Sequence, residues 1–317
     1  MQTSVPTEEL IVRSSPIDDG DSRRITRRTF VGSVAAAVGT AALASPALGA
    51  PAPAAPPGQS LDRAAGVVTV DGVTKVLALI GTSWVLVDAD GTVRPTHGLS
   101  GATVIDVTTG PGGLVVAVGS LPVGEDTAAV VWESRDGLAW REANRLGGLH
   151  AEFTAVGADS TSFIVLGALL TPERAPGRRI AVRRTDRGWV TVPVRGLEWT
   201  DESPATAVAG GAGGWVTAAV AVTGTLLSTS RDGYTWTPAA AEPRLVDAAV
   251  KALTFVGDRV RWVGNGMSGT APLAGTLGAG RTTVAVPTEA HAVGVVPASS
   301  PVRSVWLADG RLVTSNV

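Results

Sequence analysis

Val130-Val131-Trp132-Glu133-Ser134-Arg135-Asp136-Gly137-Leu138-Ala139-Trp140 decides the fold, because the chain says it twice. Thr225-Leu226-Leu227-Ser228-Thr229-Ser230-Arg231-Asp232-Gly233-Tyr234-Thr235-Trp236 repeats it 96 residues later. A degenerate copy, Thr185-Asp186-Arg187-Gly188-Trp189, falls near the midpoint, and Asp88-Ala89-Asp90-Gly91 lies 46 residues before Gly137. A weaker glycine turn stands at Gly278-Ala279-Gly280. The period is about 48 residues, and a repeat of that length suits four short strands and their turns.

Outward from these turns, no window beyond residue 66 sustains the i, i+3, i+4 apolar spacing of a helix. Short β-branched runs such as Val67 to Val70, Val76 to Ile80, Val104 to Val107, Leu114 to Val118 and Phe163 to Leu166 read as strands. The 39 glycines and 20 prolines agree, since both residues break helices and favour turns. The expected fold is an all-β propeller of four-stranded blades spanning 66–317. Blades fall near 66–99, 102–140, 150–195, 203–238, 247–287 and 290–317. That gives six blades, with five or seven left open, and the short last blade is expected to be closed by an N-terminal strand such as Val67 to Val70.

Within the repeated turn, Asp136 and Asp232 can accept backbone N–H bonds, Gly137 and Gly233 can take positive φ, and Trp140 and Trp236 can pack between blades. The Ser-x-Asp-Gly-x-x-Trp units, from Ser134 to Trp140 and from Ser230 to Trp236, resemble the Asp-box turn of sialidase-like BNR-repeat propellers, one residue shorter than the common form. That resemblance implies a propeller with these residues in structural roles. A sialidase would further imply an arginine trio, a tyrosine nucleophile paired with a glutamate, and an acid/base. The one tyrosine, Tyr234, lies inside a turn of the repeat, so the resemblance carries the architecture without the activity.

The N-terminal segment reads as an export signal. Thr26-Arg27-Arg28-Thr29-Phe30-Val31-Gly32 resembles the twin-arginine (Tat) motif, with Arg27, Arg28 and Phe30 as its marks. It is followed by the apolar run Val31 to Leu43 and by small residues at Ala42-Leu43-Ala44 and Ala47-Leu48-Gly49. Cleavage is expected between Ala44 and Gly49. The 13-residue run covers about 20 Å as a helix, short of a roughly 30 Å hydrocarbon core, so no stable membrane span is expected. Residues 1–49 are thus the signal and 50–65 a Pro/Ala-rich linker. The resemblance implies the Tat translocase as a transit partner and residence in the envelope or outside the cell.

Composition narrows the function. The net charge of −2 argues against nucleic acid, which needs a basic surface. The absence of cysteine excludes disulfides, thiolate metal sites and a cysteine nucleophile. No phosphate loop, dinucleotide fingerprint, nucleophile elbow or zinc-protease helix is present, so no cofactor is expected. Aligning the innermost strands places His150, Glu202 and His291 at equivalent starts, where two imidazoles and a carboxylate would bind a metal or polar ligand. His97 is out of register with them. Of the tryptophans, Trp84 and Trp199 are the ones expected to be exposed. The expected role is a non-enzymatic binding module for an envelope protein or glycan; the alternative is an extracellular glycan hydrolase or lyase with its site at the channel.

Overall fold

The computed structural model describes residues 60–316 apart from 148–149, 171–175, 198–203, 241, 269–270 and 297–301. It contains six antiparallel sheets in chain order, the six blades of a β-propeller. Their innermost strands are Arg63–Val70, Thr103–Thr109, Ala151–Ala158, Ala205–Gly211, Ala248–Val256 and His291–Val296. Each of these packs on the next, and the sixth packs on the first, so the ring is closed. Blades 1, 2, 3 and 5 have four strands. Blade 4 adds the short strand Arg244–Val246 beside its third, and blade 6 is described with three.

The stacking of sheets explains the sequence pattern. A strand with both faces buried needs apolar residues at every position, not at alternate ones. In the second strand of blade 2, Val115 and Ala117 enter the cluster shared with blade 1, while Val116 and Val118 enter the cluster shared with blade 3. Further clusters lie between blades 3 and 4, 4 and 5, 5 and 6, and 6 and 1. Each fully buried valine or leucine in them contributes about 1.5–3 kcal/mol.

The closure differs from the expected one. Val67 to Val70 is not lent to the last blade. It belongs to the innermost strand of blade 1, where Val67 pairs with Val76 and Val70 with Val73. Chain order places Arg63–Val70 directly before Val73–Ile80, and a tight hairpin captures it first. The seam is held by inter-blade packing and by Leu61, whose N–H donates to the carbonyl of Gly310 at 3.0 Å.

Candidate binding channel

The two repeated turns fold alike. The Asp136 carboxylate accepts the N–H groups of Leu138 and Ala139 at 2.8 and 2.9 Å, and the Ser134 hydroxyl accepts that of Gly137 at 2.9 Å. Asp232 accepts from Tyr234 and Thr235 at 2.8 and 2.9 Å, and Ser230 accepts from Gly233 at 2.8 Å. These bonds, first those from Ala139 and Thr235, hold both carboxyls below the usual aspartate range. Gly137 and Gly233 have φ of 71° and 78°. Trp140 is buried in the cluster between blades 1 and 2, and Trp236 in that between blades 3 and 4.

Each turn also receives the connection from the preceding blade. His97 bridges to Ala139, and Arg195 to Thr235, in parallel pairs. His97 is therefore placed by its backbone. Trp84 is buried at 4% exposure, which corrects the expectation of a surface ring. Its Nε1 donates to the carbonyl of Ala102 at 3.0 Å and its face meets the Arg63 guanidinium at 5.2 Å, so inter-blade packing claims it.

Every innermost strand carries a β-bulge at the same level. The register slips between Ala64 and Gly66, Val104 and Asp106, Phe153 and Ala155, Ala205 and Ala207, Val250 and Ala252, and Ala292 and Gly294. A bulge breaks the alternation of side chains and re-aims them. Beside this ring lies an axial cavity of about 170 Å³, touched by all six blades and lined mostly by glycine, alanine, valine and threonine. Among the described residues, the charged ones that line it are Asp106 and Lys251.

Lys251, the bulge residue of blade 5, reaches across the channel to blade 2, with Nζ 3.4 Å from the carbonyl oxygen of Ile105. Asp106 accepts the N–H of Val107 at 2.8 Å and that of Val156 in blade 3 at 2.9 Å, one on each oxygen. Burial pushes the Asp106 carboxyl up to about 6 against the pull of Lys251, and lowers Lys251 against the pull of Asp106. Arg63 donates to the carbonyl of Val104 at 2.8 Å. Burial lowers Arg63 and raises Glu152, and each opposes the other's shift.

Of the residues singled out from the sequence, His150 places its Nε2 3.1 Å from Asp126, in a hairpin of blade 2. His291 is the exposed first residue of its strand in blade 6, across the ring from blade 3. Glu202 and Trp199 lie outside the described residues, as do Arg27, Arg28 and Phe30. Among the described residues no group of three His, Cys, Asp or Glu is placed to hold a metal. Sequence reasoning missed Arg63, Asp106, Glu152 and Lys251. Two signals were present: Lys251 is one of only two lysines, and Asp106 interrupts the apolar run Val104-Ile105-Asp106-Val107.

Six blades around an axial cavity define the class as a six-bladed β-propeller. No protein-family model and no curated protein matches the chain. Among solved structures, it is similar to the PQQ-bound aldose sugar dehydrogenase of Streptomyces coelicolor, with a TM-score of 0.56 and 13% identity over 81% of this chain and 95% of that one. A protein assigned as a glycoside hydrolase from Bacteroides ovatus gives 0.41 and 12%, over 81% of this chain and 86% of that one. One assigned as a TolB from Agrobacterium tumefaciens gives 0.45 and 14%, over 70% and 80%. The first supports the fold alone, and the other two superpose too loosely to bear on function.

Proposed function

We propose that the protein is exported through the Tat route and acts as a binding module in the cell envelope or outside the cell, its partner an envelope protein or a glycan. Export rests on the order of Arg27-Arg28, Phe30, the apolar run and the small residues before Gly49. No helix among the described residues is long and apolar enough to cross a membrane. The observation that carries binding is the use made of Asp106: one oxygen accepts the N–H of its own neighbour Val107, and the other ties its strand to the next innermost strand through the N–H of Val156. A carboxylate so engaged braces the ring. The loops on that rigid ring are then the surface left for recognition.

The second reading, an extracellular glycan hydrolase or lyase, draws on the same residue, a carboxyl near 6 beside a cavity. One set of measurements separates them. Replacing Arg27 and Arg28 together by Lys is expected to retain uncleaved precursor in the cytoplasm; unchanged export would end the Tat reading. The purified protein is expected to co-sediment with insoluble wall glycan, or to be cross-linked to one envelope protein, without releasing reducing sugar. Sugar release that stops in Asp106→Asn would replace the binding reading with the enzymatic one.

A further inference from the structure

The axial cavity meets an ammonium group whose charge is incompletely answered. Lys251 has three N–H donors, and the acceptor it reaches is the Ile105 carbonyl at 3.4 Å, a long contact for a hydrogen bond. Asp106 has committed its oxygens to Val107 and Val156 and acts on Lys251 through space. Arg63 adds a second positive charge that acts on Lys251, and the buried Nε of Arg63 has no hydrogen-bond partner. Glu152 opposes Arg63. A cation withdrawn from water is costly unless it is paired and hydrogen-bonded, and Lys251 lines the cavity.

We propose that the axial cavity binds a small carboxylate anion, seated with its oxygens on the Lys251 ammonium and its carbon end against the glycine- and valine-lined wall. The volume of about 170 Å³ admits an acid of a few carbons and excludes a polymer. Its walls offer the apolar end Gly66, Val67, Gly157 and Val295. The site is linked to protons through Asp106. Its negative charge competes with the incoming anion, and the carboxyl takes up a proton near pH 6. The anion therefore binds more tightly as the pH falls through that value, and by linkage it raises the Asp106 pKa. The proposal is independent of export and of any envelope partner, so its failure leaves the loop-face reading standing.

The test uses protein carrying ¹³C at lysine, which reports on two residues, since Lys75 and Lys251 are the only lysines. Lys75, paired with Asp88 at 2.9 Å in blade 1, is the internal control. Acetate and then propionate are titrated at constant ionic strength. The Lys251 Cε signal is expected to shift saturably while Lys75 stays still, with affinity about tenfold higher at pH 5.5 than at pH 7.5, the equivalent of one unit of pKa displacement. Lys251→Met should abolish the saturable rise in Tm with acetate. Asp106→Asn should keep binding and lose its pH dependence. A Lys251 signal that does not move, that drifts together with Lys75, or that responds equally to chloride overturns the proposal. The wild-type titration decides the matter even if Lys251→Met fails to fold.

Discussion

The turns at 134–140 and 230–236 make the same backbone hydrogen bonds with their aspartates and serines, yet their tryptophans are anchored differently. Trp140 donates its indole N–H to the carbonyl of Gly137 at 2.9 Å. Trp236, equally buried, has an indole N–H with no partner. The second turn has a stitch that the first lacks: Arg183 of blade 3 donates to the Tyr234 hydroxyl at 3.0 Å and to the Asp232 carbonyl at 3.1 Å, with its guanidinium 5.4 Å from the tyrosine ring. Leu138 holds the corresponding place in the first turn. The turn is thus a fixed backbone unit, and the seam beside it is free to be sealed from within or from the neighbouring blade.

The largest test strikes what the two turns have in common. A Cβ at Gly98 would collide with the Trp140 carbonyl, and one at Gly196 with the Trp236 carbonyl, at φ of 88° and 71°. Gly98→Ala and Gly196→Ala should each cost about 3 kcal/mol or more in denaturant unfolding. Unequal costs would show that the two bridges are not equivalent. The tryptophans should separate the turns. Trp140→Phe strands the Gly137 carbonyl whereas Trp236→Phe removes an already orphaned donor, so the first should be worse by about 1–2 kcal/mol. Equal losses would place a partner on Trp236. The smallest effect is expected from Tyr234→Phe, a loss of about 0.5–1 kcal/mol that should vanish in an Arg183→Ala background, as a double-mutant cycle would show.

The sequence made the blades legible because their turns need particular atoms. An aspartate that caps two N–H groups and a glycine at positive φ leave a signature, and two copies 96 residues apart fix the spacing. The bridging glycines were equally present in Thr96-His97-Gly98-Leu99 and Val194-Arg195-Gly196-Leu197, but His97 drew attention as a side chain when its part is played by its backbone. The channel was opaque for a different reason. Its bulge residues are Ala65, Ile105, Thr154, Thr206, Lys251 and Val293, six positions with no chemistry in common. A bulge is a count of residues along a strand and not a residue type, so alignment by strand starts pointed to His150 and His291 while Lys251 and Asp106 stayed hidden. Trp84 was misjudged because its burial comes from Arg63 and Ala102, partners that no local pattern joins to it.

The uniform ring of bulges has a consequence for how such a molecule diversifies. Each blade spends one unpaired residue at the same height, and the ladder resumes on either side whatever that residue is. Of the six unpaired residues, Lys251 and Val293 line the axial cavity, whereas Ala65 is buried between blades 1 and 2 and the hydroxyls of Thr154 and Thr206 donate to backbone carbonyls. The layer is therefore a junction with two outlets: a substitution at a cavity-lining position alters what the axis presents, and one at an inward-packed position alters a seam between blades. Neither needs the sheet register to change.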